Sequence, residues 1–348
     1  MLQRLKSGVK RSLATALYAS GILGVLARRR LRGRAVVLMY HRVLAADAID
    51  RAWSHPGIVV RAETFARQVA LIRRHFTPLT LAAFAAHLRD GRPFPPRACL
   101  VTFDDGWLDT ATVAWPILRE AQVPAVVFLP SGYIGTGAMF WQERLRAALH
   151  AVWEAARTDP ALADTARTLL GAHGFGGLLD VPAGGIRMAV MDGVLSRKYH
   201  ELEAAATLTT ELERLVAGRP RQPLADAFMT WPQVQALAAE GLTFGGHSRT
   251  HRLMTDIPPD EAAAEADDSR QAIAAALGVA PFSFAYPNGN WNPEVAAQVA
   301  RSGYSVAFTT EFGHVAPGDP PLSIRRVNIH EDGTATPAMF MARILGVF

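Results

Sequence analysis

Seven short apolar segments, each ending in a polar cluster, are the feature of this sequence that most constrains its fold. They are continuously apolar and rich in Val, Phe and Leu, which is typical of strands buried on both faces of a parallel sheet. Segments of helical period, rich in Ala, Leu, Arg and Glu, lie between them. This alternation predicts an α/β barrel of about seven strands, closed or partly open. The predicted strands cover 35–41, 98–106, 124–132, 241–248, 281–289, 304–310 and 322–329.

Residues 140–229 interrupt this alternation and are predicted to be mainly helical. We interpret this range as a helical insertion between two strands of the barrel. The expected organisation is therefore an N-terminal helix over 1–34, followed by a barrel over 35–348 that carries the insertion. The helical stretches predicted within the insertion are 141–156, 161–170 and 199–218, and a Gly/Pro-rich patch covers 171–186.

Composition excludes several classes of protein. Half of the 348 residues are hydrophobic and 19% are charged, so the chain is not a disordered one. The single cysteine, Cys99, excludes an internal disulfide and a cysteine-rich zinc module, so any metal site must use His, Asp and Glu. The formal net charge is +5, and much of the basic excess lies near the N-terminus. A local cluster of this kind is not a basic face spread over a fold, and we expect no nucleic-acid partner.

Residues 13–27 are apolar and are flanked by positive charge on both sides. These fifteen residues are too few to cross a hydrocarbon core, which takes about 20. Three interpretations remain open: a basic helix lying on an anionic membrane surface, a signal peptide ending near 25–27, or a plain helix packed on the domain. We expect the protein in the cytoplasm or on the cytoplasmic face of the inner membrane, and in a secreted or periplasmic location if residues 1–27 are a signal peptide.

Two adjacent carboxylates, Asp104 and Asp105, follow the second predicted strand. Barrel enzymes place their catalytic groups at the carboxyl ends of strands, where the loops converge on one mouth. Adjacent carboxylates resist joint burial unless a cation or a shared proton relieves their repulsion. Gly106 permits the tight turn that would aim both into the mouth. The alternative is a simple Asp-Asp-Gly turn in which one aspartate caps the next helix.

Two histidines, His247 and His251, follow the fourth predicted strand with i, i+4 spacing. We expect them to lie on one face of a helical turn, where they can bind one metal ion. An isolated pair of this spacing is more often a surface or core pair. Combined with a carboxylate at a like strand end, it matches the two-histidine, one-carboxylate arrangement of catalytic zinc sites. Asp105 is then the third ligand, and Asp104 is free to act as a base.

Three motifs carry a resemblance to a known family. TFDDG (102–106), HSRTH (247–251) and FAYPNG (284–289) resemble, in this order, the first three motifs of the NodB-homology polysaccharide deacetylases, carbohydrate esterase family 4. The similarity covers about 35–135 and 230–330. It implies a distorted (β/α)7 barrel of the NodB-homology type. It also implies a divalent metal, Asp104 as general base, and Ser248 as the residue that braces the histidine loop; the implied metal ligands are Asp105, His247 and His251.

His41 is the candidate proton donor. It ends the first predicted strand, and from its position alone a structural role is equally expected. In the circularly permuted members of the family the acid lies in an early tyrosine-histidine motif, and VLMYHRV (37–43) resembles that arrangement. This resemblance makes His41 the expected acid. His330, after RRVNI (325–329), is its rival.

The third motif departs from the family pattern. Many members carry there an arginine that braces the catalytic aspartate and an aromatic residue after the proline; this chain has Ala285 and Asn288. A brace for Asp104 must therefore come from elsewhere or be absent. The backbone N–H of Asn288 can still serve as an oxyanion donor, because that role needs no side chain.

Aromatic side chains near strand ends are candidates for contact with a sugar ring. Tyr286 and Trp107 are expected at the substrate together with Asn288. Trp107, Trp291 and Phe312 either stack on the sugar or pack at the rim of the barrel.

The activity implied by the resemblance is metal-dependent hydrolysis of the N-acetyl group of an N-acetylated sugar or polysaccharide, giving acetate and a free amine. Zinc is the expected metal, with cobalt or nickel as alternatives. The expected partners are an N-acetylated glycan or a lipid-linked sugar and, at its periphery, an anionic membrane. Two alternatives stay open: an esterase or amidase on a non-sugar acyl compound, and a non-catalytic membrane-associated carbohydrate-binding protein.

Overall fold

The computed structural model describes residues 2–49, 51–196, 202–219 and 227–348. The chain forms two compact units. The first comprises Met1–Ala46, Pro56–Gly137 and Phe228–Phe348, and the second comprises Asp47–His55 and Ala138–Ala227.

The strands follow the predicted positions. In chain order they are β1 (Ala35–Tyr40), β2 (Arg42–Leu44), β3 (Val59–Arg61), β4 (Thr77–Pro78), β5 (Ala98–Phe103), β6 (Ala125–Leu129), β7 (Thr243–Gly246), β8 (Ser283–Ala285), β9 (Val306–Phe312) and β10 (Ile324–Asn328). Six of the seven predicted apolar segments contain one of these strands, and the segment 304–310 overlaps β9, which runs two residues further. The three strands that were not predicted, β2 to β4, have only two or three residues each and too short a pattern to be recognised.

Seven parallel strands close into a barrel. The ring runs β1–β10–β9–β8–β7–β6–β5 and closes where β5 pairs with β1, with Tyr40 opposite Phe103. β4 adds a short pairing to β5, and β2 and β3 form a separate two-stranded sheet. Every residue of β1 and β5 is buried, as their continuous apolar sequence predicts. The expected (β/α)7 barrel is confirmed.

The helices of the first unit surround this barrel. They are α1 (Leu2–Ala19), α2 (Ile22–Arg30), α4 (Ala62–His75), α5 (Leu81–Arg89), α6 (Trp115–Glu120), α11 (Trp231–Ala239), α12 (Pro259–Leu277), α13 (Pro293–Arg301), α14 (Glu331–Thr334) and α15 (Pro337–Ile344), and α3 (Ala46–Ile49) begins at the end of its first segment. Side-chain caps mark several starts, for example Asn292 on Val295 and a capping box between Thr230 and Gln233. These caps fix the residues at which α11 and α13 begin.

The N-terminal segment forms two helices instead of the single helix expected over 1–34. α1 ends at Ala19, and Gly21 adopts a left-handed φ of 77° that a helix cannot continue through. Ala14, Leu23 and Ala27 are buried. No helix in the described ranges is both long enough and apolar enough to cross a membrane.

The second unit is helical and has its own core. Its helices are α7 (Trp141–Ala156), α8 (Pro160–Ala172), α9 (Ile186–Leu195) and α10 (Leu202–Leu215), and Asp47–Ile49 of α3 also belongs to it. Trp53 joins the same apolar cluster, and its carbonyl accepts a hydrogen bond from Arg146. The start of the third predicted helical stretch, 199–201, lies outside the described residues. The helical character of this range agrees with its amphipathic sequence, whereas the contribution of 47–55 has no sequence signature.

Candidate active site

The two aspartates stand at the carboxyl end of β5, directly after Phe103. Both are buried. Asp104 donates its backbone N–H to the carbonyl of Tyr40 at 3.0 Å, so the β1–β5 pairing fixes where the aspartates begin. Asp105 has a left-handed φ of 72°, followed by Gly106 at 67°. A non-glycine residue held in this region is strained, and such strain is concentrated at functional sites.

Asp105 and the two histidines come together as predicted. Asp105 Oδ1 lies 3.4 Å from His247 Nε2 and 3.4 Å from His251 Nε2. One ligand atom from each residue lies within 4.8 Å of the other two. Ligand atoms at zinc-binding distances on a tetrahedral ion are about 3.3 Å apart. The spacing of the three ligand atoms is therefore compatible with one divalent cation.

The segment between the histidines is not the helical turn that the i, i+4 spacing suggested. It leaves the end of β7 as an irregular loop in which Ser248 and His251 both have a φ of 59°. The hydroxyl of Ser248 accepts the backbone N–H of His251 at 2.9 Å and so closes this turn. The i, i+4 spacing identified the correct pair, His247 and His251, but predicted the wrong conformation between them. An irregular loop at the end of β7 brings the two imidazoles as close together as a helical turn would.

The β8 strand orients His247. The Nδ1 atom of His247 lies 2.7 Å from the carbonyl oxygen of Ala285. A proton on Nδ1 donated to this carbonyl leaves Nε2 as the lone-pair atom that faces Asp105 and His251. The backbone of Ala285 thus has a positioning role at the place where the family motif carries an arginine side chain.

A buried carboxylate from α12, that of Glu265, holds the rest of the histidine loop. It accepts the backbone N–H groups of Arg249 at 2.8 Å and Thr250 at 2.7 Å. Opposite, Gly132 donates its N–H to the carbonyl of Arg249 at 2.8 Å. A Cβ on Gly132 would lie 2.8 Å from that same carbonyl oxygen, so glycine is required for this approach. Sequence reasoning missed both residues, because nothing in their local pattern indicates a contact with a distant loop.

Arg326 of β10 supplies the brace on Asp104 that the third motif lacks. Its two terminal nitrogens each donate to one oxygen of Asp104 at 2.7 Å, and its Nε donates to the carbonyl of Thr309 at 2.7 Å. Arg326 is completely buried. Such a bidentate contact is the strong form of a carboxylate–guanidinium pair. A sequence signal was available: two adjacent arginines, Arg325 and Arg326, stand in the predicted strand 322–329, where successive side chains face opposite sides, so one of them points inward and needs a buried partner.

The charge state of the two aspartates follows from these contacts. Burial on its own raises the pKa of Asp104, but the charge and hydrogen bond of Arg326, together with the charges of His247 and His41, outweigh it and lower the pKa below the ordinary value. Burial likewise acts to raise the pKa of Asp105, and the hydrogen bonds to His247 and His251 bring it well below. Both carboxylates are therefore ionised near neutral pH.

His41 lies beside Asp104, as expected for groups at the ends of neighbouring strands. Its Nε2 is 3.9 Å from Asp104 Oδ2, and the side chain is partly exposed. Burial lowers the pKa of His41, against the opposing effect of Asp105 and Asp104. The rival His330 follows β10 and lines a cavity together with Lys10 and Arg11 of α1. Of the two histidines, the structure places His41 at the candidate base.

Trp107 is fully buried and contacts a predicted ligand directly. Its indole N–H donates to Asp105 Oδ2 at 2.9 Å. The ring lies between Phe228, with centroids 4.4 Å apart, and the guanidinium of Arg42, 4.3 Å above its centre. Arg42 is in turn paired with Asp109 at 2.8 Å. Trp107 thus fixes one oxygen of Asp105 and leaves the other facing the histidines, and its ring is not open to a sugar.

The remaining predicted residues differ in exposure. Tyr286 is buried, and its hydroxyl donates to the carbonyl of Leu322 at 2.9 Å. Asn288 is exposed, with a left-handed φ of 55°. The indole N–H of Trp291 donates to Glu311 at 3.0 Å, and Phe312 is exposed. Asn288, Trp291 and Phe312 remain candidates for substrate contact, whereas the ring of Tyr286 packs in the core.

Sequence comparison finds relatives for part of the chain. Residues 200–307 match the family described as polysaccharide deacetylase. A stretch of 127 residues is 30% identical to poly-beta-1,6-N-acetyl-D-glucosamine N-deacetylase of Escherichia coli K12. That stretch covers 35% of this chain and only 18% of the relative. The family match contains the histidine motif and the third motif, and the DDG motif at 104–106 lies before it.

Solved structures share the fold over most of the chain. IcaB from Ammonifex degensii is 19% identical with a TM-score of 0.56, covering 88% of this chain and 97% of its own. The deacetylase PplD from Streptococcus pyogenes is 16% identical with a TM-score of 0.55, covering 87% and 96%. The barrel, the match over residues 200–307 and the three motifs agree, and this chain is similar in fold and in part of its sequence to the polysaccharide deacetylases.

Proposed function

We propose that this protein is a metal-dependent deacetylase that hydrolyses the N-acetyl group of an N-acetylated glycan. The observation that carries the proposal is the pairing of two differently held carboxylates at one strand end. Asp105 faces His247 and His251, whereas Asp104 is held ionised by Arg326 and lies beside His41. The first group of side chains, around Asp105, suits the binding of a cation. The second group, around Asp104, suits proton transfer.

Asp105, His247 and His251 would hold the metal. Mixed oxygen and imidazole ligands suit zinc, with cobalt or nickel as alternatives. When bound, the metal supplies Lewis-acid chemistry, polarising the acetyl carbonyl and making water a stronger acid. Trp107 and Ala285 keep the ligands in place by binding the atoms that face away from the cluster.

The other groups move protons and stabilise charge. Asp104 accepts a proton from the attacking water, which requires the ionised state that Arg326 maintains. His41 donates a proton to the departing sugar nitrogen, because an unprotonated amine is a poor leaving group. The backbone N–H of Asn288 donates to the developing oxyanion. The products are acetate and a free amino sugar.

Acetate release tests the proposal directly. We expect the full chain to release acetate from N-acetylglucosamine oligosaccharides, to lose this activity with a chelator and to regain it with added zinc, cobalt or nickel. An O-acetylated glycan serves as the comparison substrate. Release from the O-acetyl substrate alone would identify an esterase and contradict the proposal, as would release from neither substrate under any metal.

The variant His41→Ala tests whether His41 is a proton donor or has only a structural role. We expect metal retention and an about 10²- to 10⁴-fold loss of kcat on the N-acetyl substrate, the range of a positioned acid–base group. An activated acetyl ester should be much less affected, because its leaving group needs no proton. His330→Ala is the matched control and should leave the ratio of the two activities unchanged. Equal losses on both substrates in His41→Ala would contradict the acid role.

A further inference from the structure

The exposed large apolar side chains of this protein are concentrated in its N-terminal helices. The described residues expose nine such side chains, and five of these lie between positions 9 and 25, each with 37–63% of its surface accessible. The five are Val9, Leu13, Tyr18, Ile22 and Val25. Isolated exposed apolar residues need no explanation, but a concentration of this kind marks an interaction surface.

In α1 and α2, the residues that pack against the protein lie on a different face from the exposed apolar residues. Ala14 of α1 and Leu23 of α2 are completely buried. Val9 and Leu13, spaced i, i+4, share one face of α1, and Ile22 and Val25, spaced i, i+3, share one face of α2. The outward face of a surface helix is normally polar. These two helices instead expose large apolar side chains beside their polar ones.

The N-terminal segment, residues 1–34, accounts for the net positive charge of the chain. Residues 1–34 contain nine basic residues and no acidic one, so with a whole-chain net charge of +5 the remaining residues carry −4. The side chains of Lys10, Arg11, Arg28 and Arg29 are exposed. Arg30 is the exception, because it donates to the carbonyls of Leu345 and Gly346.

The α1 helix lies beside the end of the barrel that carries the candidate active site. Lys10 and Arg11 line a cavity of about 720 Å³ with His330, Asp332 and Arg343. His330 follows the carboxyl end of β10, and the barrel strands are parallel, so this is the end at which Asp104 and His247 stand. Among the charged residues that line this cavity, the cations Lys10, Arg11 and Arg343 outnumber the one carboxylate, Asp332.

We propose that α1 and α2 form a docking surface for an anionic lipid bilayer. Exposed apolar side chains bordered by exposed cations match the boundary between acyl chains and anionic headgroups. A second copy of this chain fits the surface poorly, because it would bring nine further positive charges and no acid against it. The surface is separate from the proposed catalytic residues, and its test does not depend on the activity.

Vesicle binding by the full chain tests the surface. We expect sedimentation with vesicles of phosphatidylcholine and phosphatidylglycerol, at least about tenfold weaker binding to phosphatidylcholine alone, and weakening as salt increases. Arg28→Gln/Arg29→Gln should reduce binding to the anionic vesicles at least about tenfold. Leu13→Ser/Ile22→Ser should reduce it by about tenfold.

Matched controls separate this surface from general charge and hydrophobicity. Arg73→Gln/Arg74→Gln removes another exposed pair of arginines, on α4, and Val279→Ser removes another exposed apolar side chain; both should leave binding unchanged. Equal binding to both vesicle types, or equal losses in the arginine pair and its control, would overturn the proposal. So would a dimer that Leu13→Ser/Ile22→Ser dissociates in a chain that binds no vesicles.

Discussion

Replacing Asp104 by Asn is expected to lower kcat by about 10²- to 10⁴-fold while metal occupancy stays near that of the unaltered protein. The amide keeps the shape of the side chain but cannot accept the proton of the attacking water. Metal occupancy is unaffected because the cluster is formed by Asp105, His247 and His251. Metal content by mass spectrometry and acetate release on the same sample measure the two effects.

Asp105→Ala is the matched variant at the neighbouring position. It removes the oxygen that both histidines face, and we expect metal and activity to be lost together. If Asp104→Asn loses the metal while Asp105→Asn retains it, the roles of the two aspartates are reversed. Stoichiometric metal in an Asp105→Ala/His247→Ala double variant would contradict the assigned site.

Arg326→Met is expected to be the most destabilising single change near the site, costing about 3–5 kcal/mol of the free energy of unfolding. The substitution leaves the carboxylate of Asp104 buried without its bidentate partner. Without the charge of Arg326 the burial of Asp104 raises its pKa. Because the base must be ionised, the acidic limb of the pH–kcat profile should move to higher pH. Denaturant unfolding and the pH profile measure the two effects.

Arg325→Met is the natural control, since it alters the adjacent residue of the same strand. Arg325 is exposed and lies 3.6 Å from Glu311, a surface pair of little energetic value. We expect a change in the free energy of unfolding within about 0.5 kcal/mol and an unchanged pH profile. Similar losses in both variants would show that Arg326 contributes only to the packing of β10.

The barrel and the cluster at its mouth could be predicted from sequence because both depend on local patterns. Apolar segments located the seven strands of the ring, and parallel strands bring their carboxyl ends to one edge. Asp105, His247 and His251 each follow such an end within a few residues. Their convergence is therefore a property of the topology, independent of the conformation of the loop that carries them.

Contacts between distant parts of the chain could not be predicted in the same way. Arg326 and Asp104 are 222 residues apart, and the choice of Asp104 as the partner depends on how the barrel closes. Glu265 and Gly132 reach the histidine loop only through the packing of α12 and the loop after β6. The conformation of the histidine loop was mispredicted because i, i+4 spacing is compatible with both a helical turn and a tight irregular turn.

The origin of Arg326 in the last strand has a consequence for the order in which the site matures. Asp105, His247 and His251 all precede Arg326 in the chain, so a growing polypeptide contains the proposed metal ligands before the partner of Asp104 has been synthesised. Asp104 gains its buried bidentate partner only when β10 lies between β1 and β9 and completes the ring. Barrel closure therefore sets the environment of the proposed base, because the last strand of the ring supplies the buried guanidinium that faces it.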